Sequence, residues 1–394
     1  MAARKRVSRK KKGSGAAGVL LFLFLVAAAA IAATAWFVFL PAGPSTETFV
    51  EVAPGSSSAQ IAAQLEQSGI IRSRYAFGAV RLWKRGTLKA GEYRFDHPTS
   101  VPEVYARIAR GDVFTLSVTI PEGSNRFDIA KRLQEAGLDK NSEFLPATIS
   151  NTALVADLDL EAKSLEGYLF PDTYRFQRKA SGAQIAAAMV RRFHIQAAQT
   201  GLTGPAQASP AQPSQSPSGK TAPGSAAAST SAANATNIHA IVTLASLVER
   251  ETAIPTERSL VASVLTNRLA KGMPLMTDPS VIYGLETEGH WRGAIYQSDL
   301  LHDTPYNTYR HPGLPPGPIA NPGLAALRAA LHPSNTSYLY FVAAGDNPQG
   351  HSLFSTTLEE HNRNVAIYRK AIKDASKDAS GDSSGHTPGG SKSH

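Results

Sequence analysis

The chain has no cysteine, which excludes a disulfide framework and any thiolate nucleophile or ligand. It has no His-Glu-x-x-His pair either. His290, His302, His311, His332, His351 and His361 stand without ligand spacing, so the sequence points to no metal and no cofactor. A Gly-x-Ser-x-Gly nucleophile elbow is also lacking. Gly219-Lys220-Thr221 ends like a phosphate loop, but the glycine needed five residues earlier is Ser214, which excludes that motif. Net charge is scarce after the first dozen residues. Most of the net +9 comes from Arg4, Lys5, Arg6, Arg9, Lys10, Lys11 and Lys12, and the remainder is close to neutral. The basic balance therefore belongs to a tail (1–15) and is no sign of nucleic-acid binding.

Only one apolar run is long. Ala16 to Leu40 carries no charge, and as a helix it would span about 37 Å, enough for a hydrocarbon core of roughly 30 Å. Trp36 and Phe37 near its far end suit the membrane interface. The Lys/Arg cluster before it predicts a single-pass helix over 16–40 in the inner membrane, with the N-terminus cytoplasmic and the rest periplasmic. A cleaved signal peptide is the competing reading, because Ala33-Thr34-Ala35 resembles a small-residue cleavage site. The run is longer than the usual apolar core of a signal.

An internal repeat follows at an offset of 68 residues. Val52-Ala53-Pro54-Gly55-Ser56, Ile61-Ala62, Leu65 and Gly69-Ile70 align without gaps on Ile120-Pro121-Glu122-Gly123-Ser124, Ile129-Ala130, Leu133 and Gly137-Leu138. Each copy reads as a short strand, a Pro or Gly turn, a capped helix and a glycine stop. Further helices are predicted over 75–83 and 101–109, with a strand over 91–95. Residues 45–158 thus form repeated small α+β modules, and the fold class of the whole is α+β. Residues 201–236 are mostly Ala, Ser, Pro, Gly, Thr and Gln; such composition cannot offset chain entropy and predicts a disordered insertion. Residues 374–394 predict a disordered tail in the same way.

Chemistry concentrates after the insertion. Asn237 can cap a helix running to about Thr252, ahead of Pro255. On it Glu249 shares a face with Ile238, Val242 and Ala245, while His239, Thr243, Ser246 and Arg250 form a polar stripe. A carboxyl on a covered face has the raised proton affinity that a general acid needs. Glu251 also falls on an apolar side, among Ala240, Leu244 and Leu247. Either glutamate can equally be a helix-end residue paired with Arg250 or Arg258, and spacing does not separate them. Downstream, Thr277 to Gly284, Pro305 to Tyr309, Gly313 to Ile319 and Asn321 to Gly323 read as loops in which Tyr and Asn recur, a lining that suits a saccharide cleft. Helices over 259–271, 323–331 and 357–373 and strands over 338–342 and 351–354 complete the expectation.

Several of these segments together resemble the endolytic murein transglycosylases, the MltG or YceG-like family. They are Leu244-Ala-Ser-Leu-Val-Glu-Arg-Glu-Thr252, Thr277-Asp278-Pro279 with Val281-Ile-Tyr-Gly284, Tyr306-Asn-Thr-Tyr309, Gly313-Leu-Pro-Pro-Gly317, His332-Pro333 and, upstream, Leu165-Glu-Gly-Tyr-Leu-Phe-Pro-Asp-Thr-Tyr174. The likeness runs from about residue 45 to 372. It implies a membrane helix, a LysM-like module over the repeat region and a catalytic domain at 159–373 interrupted by 201–236, where relatives are compact. It also implies that Glu249 is catalytic. Such enzymes cut glycan strands of peptidoglycan with formation of 1,6-anhydro-muramyl ends and terminate strand elongation. Asp278, Tyr283, Tyr306 and Asn307 would hold the saccharide. Peptidoglycan synthases (penicillin-binding proteins) or the division and elongation machinery are the implied protein partners. Two alternatives stand beside this: a two-carboxylate hydrolase pairing Glu249 with Asp278, and a non-catalytic wall-binding scaffold.

Overall fold

The structure, a computed structural model, describes residues 14–202, 237–344 and 351–381. The basic tail before Ser14, the insertion from 203 to 236 and the tail beyond Gly381 lie outside them. Nothing interrupts Ser14–Phe39, which has neither proline nor charge and forms one helix, α1. Its Gly18–Phe39 part is long and apolar enough to cross a membrane, and most of its apolar side chains are exposed.

The chain divides into two compact units, Met1–Leu116 and Ser117–His394. In the first, α1 is followed by β1 (Thr48–Val52), α2 (Ser58–Gln67), α3 (Arg74–Lys84), β2 (Gly91–Phe95) and α4 (Val101–Arg110). β1 and β2 pair antiparallel, Val50 opposite Tyr93 and Thr48 opposite Phe95. Alternation along the two strands turns Val50, Val52, Tyr93 and Phe95 inward, where they meet Leu65, Phe77, Tyr105 and Ile108 in one core. Val38, near the end of α1, is buried in that core too. Arg72 ties the chain there, donating to the Leu40 and Pro41 carbonyls.

The second unit begins by repeating the plan. β3 (Leu116–Thr119), α5 (Arg126–Glu135), α6 (Phe144–Ser150) and β4 (Thr173–Phe176) again give a β-α-α-β order with the two strands paired. The sequence repeat is therefore a structural one. Ser57 and Asn125 cap α2 and α5 at equivalent positions, and each forms a reciprocal capping box, with Gln60 and Asp128. Ile61, Ala62 and Leu65 are buried in the first copy, and Ile129, Ala130 and Leu133 in the second. Gly69 (φ 70°) and Gly137 (φ 78°) turn the chain out of the helix in the left-handed region that a Cβ disfavours. The second copy thus belongs with the unit that follows it, and the sequence boundary at 158/159 falls inside that unit. The Leu165 to Tyr174 segment follows α6 and runs into the start of β4.

The remainder is helical with one hairpin: α7 (Gly182–Thr200), α8 (Ile238–Glu251), α9 (Arg258–Ala270), α10 (Asp278–Thr287), α11 (Gln297–Leu301), α12 (Leu324–Leu331), β5 (Tyr340–Ala343), β6 (Ser352–Ser355) and α13 (Leu358–Gly381). α8 is the central element, packed against α9, α10 and α12. The described chain is thus a mixed helix-and-strand protein with one N-terminal apolar helix. Two expectations need correction. The segment from Thr277 to Gly284, read as a loop, forms most of α10; Pro279 sits in its first turn, where its missing N–H has no partner to lose. Residues 374–381, read as disordered tail, continue α13.

Candidate active site

α8 forms because Asn237 caps it, accepting from the Ala240 N–H, and because its apolar residues recur at helical spacing. The face shared by Ile238, Val242 and Ala245 is buried, and Glu249 extends it to the helix end with its side chain 4% exposed. One carboxylate oxygen accepts from Arg258, at the start of α9, at 2.7 Å; the other accepts from the Gly323 N–H, just before α12, at 2.9 Å. Arg258 is itself 9% exposed on its side chain. A buried pair of this kind adds little net stability, since desolvation offsets the attraction. Its effect is to hold the carboxyl in one orientation. Burial raises the proton affinity of Glu249 above that of an ordinary glutamate, while the Gly323 N–H and Arg258 pull it back; the charge of Glu122 raises it further. Arg258 also lines an open cleft of about 500 Å³ with Gln199, Ser259, Arg328 and His332.

The polar stripe of α8 docks the loop from 313 to 323. The His239 ring lies between the Asp159 carboxylate at 2.7 Å and the Pro316 carbonyl at 3.1 Å. Ser246 accepts from the Ile319 N–H, and Arg250 donates to the Gly123 carbonyl. Asn321, fully buried, joins three segments: its oxygen accepts from the Gly167 and Leu169 N–H groups, and its amide donates to the Ser124 carbonyl and Glu166. Gly167 (φ 89°) is pressed against this loop, and a Cβ there would lie 2.5 Å from Pro318 Cγ and 2.8 Å from Val242 Cγ1. These contacts bring the Leu165 to Tyr174, 120–125 and 313–323 segments around the end of α8.

Glu166 lies at the centre of that arrangement, and burial pushes its carboxyl up to about 7 against the pull of the Arg126 N–H. Its folded value is above its unfolded one. The stability it contributes is therefore fully present below about pH 4.5 and is lost as pH rises through about 7. A Glu166→Gln variant should lose less stability than the parent chain between about pH 5 and pH 8. Denaturant unfolding at several pH values checks this; parallel stability curves for the two proteins would refute it.

The four expected saccharide-holding residues lie in three different settings. Tyr283 is buried, edge-on to Tyr306 (4.9 Å between ring centroids) and near Phe127, with its hydroxyl against Glu166. Asp278 accepts from the Tyr309 hydroxyl at 2.6 Å. Its charge acts on Glu251, whose carboxyl is pushed up to about 7 by burial and then by Asp278. Positions 249 and 251 point about 200° apart on a helix, so Asp278 accompanies the wrong glutamate for a Glu249–Asp278 pair. Asn307 is fully buried, with its amide on the Leu300 and His302 carbonyls and its oxygen taking the Tyr309 N–H. Both of its amide donors are taken up in pinning its loop. Among the described residues, those acting on Glu249 are Arg258, Gly323 and Glu122, and none of the four.

Sequence reasoning named Arg258 as a possible partner of either glutamate; the structure gives it to Glu249. Glu122, Gly323 and Asn321 were not singled out. For Glu122 the signal lay in the repeat, where it aligns with Pro54; Asn321 and Gly323 stood within a loop read as cleft lining. The histidines without ligand spacing also need one amendment: His290 and His302 come together with Glu288 at the surface, their ligand atoms within 4.8 Å of one another.

The YceG-like family model matches residues 50–367. An endolytic murein transglycosylase of Bacillus subtilis is 31% identical over 337 residues, covering 81% of this chain and 84% of that protein. One from Streptococcus pneumoniae is 28% identical over 359 residues, covering 83% of this chain and 60% of that longer protein. A crystal structure of a YceG-like protein from Listeria monocytogenes, 30% identical, covers 81% of this chain and 99% of that one with a TM-score of 0.47.

Proposed function

The chain belongs to the YceG-like family, and from that premise we propose that it is an endolytic murein transglycosylase in which Glu249 is both acid and base. One observation carries the assignment of the residue. Glu249 is a buried carboxyl held in a single orientation by Arg258 and the Gly323 N–H, with its proton affinity raised chiefly by burial. Burial favours the protonated form, which suits the carboxyl to give a proton as an acid and to take one back as a base.

The reaction balances with one carboxyl. Glu249 gives its proton to the glycosidic oxygen as the bond from the muramyl C1 to the glucosaminyl O4 breaks. The 6-hydroxyl of the same muramyl residue then attacks C1 and returns a proton to Glu249, closing a 1,6-anhydro ring. Water takes no part, so the second carboxylate that a hydrolase needs to activate it or to attack the sugar has no task. Tyr306, half-buried beside Tyr283, is the member of the expected set that remains suited to a sugar face.

The surrounding architecture supports the rest of the reading. The β-α-α-β order of the first unit, with its two antiparallel strands, supports a LysM-like module that grips the strand being cut. Helix α1 supports a single-pass anchor with a cytoplasmic N-terminus. Its end packs into the folded unit through Val38 and is followed at once by the Arg72 tether. An enzyme so anchored meets glycan strands close to where they are made, next to the synthases that extend them.

The test is mass spectrometry of the fragments released from purified sacculi or nascent glycan by the full chain in detergent. Internal fragments ending in 1,6-anhydro-muramyl residues are the expected result. Reducing ends would assign the protein to the hydrolases, and no cleavage at all would favour a scaffold.

A further inference from the structure

We propose that Glu122 is a second acidic member of this site, a positioning residue that shares the Arg258 guanidinium with Glu249 and competes for its charge. The inference rests on reading Glu249 as the acid and base, and three observations independent of that reading support it.

The first is geometric. A single Arg258 nitrogen lies 2.7 Å from a Glu249 oxygen and 3.4 Å from a Glu122 oxygen, so the cation bridges the two carboxylates. Glu122 is the outer member, its side chain 48% exposed against 4% for Glu249. The second is steric. The Glu122 carboxylate occupies the place that a side chain at Gly323 would take, and the Gly323 N–H is the second donor to Glu249. Glycine there lets the two acids flank one backbone amide. The third comes from the repeat. The turns at Pro54-Gly55-Ser56 and Glu122-Gly123-Ser124 are equivalent, both with left-handed glycines, yet only the copy beside Glu249 carries an acid. Turn formation does not require that acid, because the first copy forms the turn with proline.

Other charged groups near Glu249 do not duplicate this role. Arg250, its neighbour on α8, directs its guanidinium to the Gly123 carbonyl. Glu251 faces Asp278 and Arg268 on another side of α8. Glu257, before α9, is engaged by His351 and the Ser352 N–H. α12 contributes Arg328 and His332 to the cleft that Arg258 also lines. Glu122 is thus the acid placed to draw Arg258 away from Glu249 and keep the proton there until the glycosidic oxygen takes it. Once that proton has left, the same bridge holds both carboxylates beside the cationic sugar.

The experiment is a carboxyl ¹³C titration of the full chain in detergent, labelled at glutamate, with the Glu249 signal assigned by its absence in Glu249→Gln. In Glu122→Gln the midpoint of Glu249 should fall by about one pH unit, a tenfold weaker hold on the proton. In Glu122→Asp, which keeps the charge, it should stay close to the parent value. An unmoved midpoint in Glu122→Gln, or equal shifts in both variants, would overturn the proposal. This titration needs no turnover. Should the parent chain yield no anhydro ends while the midpoint moves, the coupling stands and the reading of the activity fails.

Discussion

Glu249→Gln should fold like the parent chain and cut glycan strands about 10²- to 10⁴-fold more slowly, the usual range when a positioned acid–base group is removed. The amide keeps the size of the side chain and an oxygen to accept the Gly323 N–H, and Arg258 retains Glu122 as an ionic partner. What it lacks is the ability to release and recover a proton. Glu251→Gln is the informative companion. Periodicity along α8 left both glutamates open, and burial pushes Glu251 up to about 7, so on titration alone it is the more conspicuous acid. Its partners, however, are Asp278, Arg268 and Arg250, away from the Arg258–Gly323 corner. Cleavage should therefore survive in Glu251→Gln. Initial rates of anhydro-end formation, with thermal melts to confirm folding, decide between the two. Near-parental cleavage by Glu249→Gln, or its loss in Glu251→Gln alone, would transfer the catalytic role.

Asn321→Ala should produce the largest loss of stability of any single polar substitution near the site. Its side chain makes four hydrogen bonds in a fully buried position, to Gly167, Leu169, Ser124 and Glu166. Each buried group left without a partner costs roughly 1–3 kcal/mol. Partial relaxation and water entry reduce the sum to about 3–5 kcal/mol, equivalent to a fall of about 10 °C in melting temperature for a unit of this size. Asn321→Asp tests the chemistry behind the number. It keeps the shape and the acceptor but loses both donors and brings a negative charge against Glu166. It should be at least as damaging as alanine. Melting temperatures within about 2 °C of the parent would show that the 313–323 loop is held by something other than this amide. Cleavage should fall in both variants, because the same loop carries Gly323 to Glu249.

The N-terminal apolar helix, the duplication and helix α8 with its two glutamates were legible because each is local. A charge-free run, a pattern at a fixed offset and an amphipathic spacing all lie in consecutive residues. The errors have local causes as well. Pro279 looked like a loop residue but is tolerated in the first turn of a helix, so α10 was read as a turn cluster. At Asn307 composition alone does not separate a side chain available to substrate from one whose amide pins its own loop, and only the structure shows the loop contacts.

By itself the sequence determined that a membrane-length helix precedes a duplicated strand-turn-helix plan, and that two glutamates end a buried helix within one family's motif. Only the tertiary structure decided which groups surround each glutamate. Arg258 and Glu122 are separated by 136 residues and Gly323 and Glu249 by 74, so no periodicity of 2 or 3.6 records their meeting. Such contacts arise because Asn321, Ser246 and His239 satisfy buried polar groups of segments distant in the chain. Their bonds, not local propensity, set where the second module's turn comes to rest against α8.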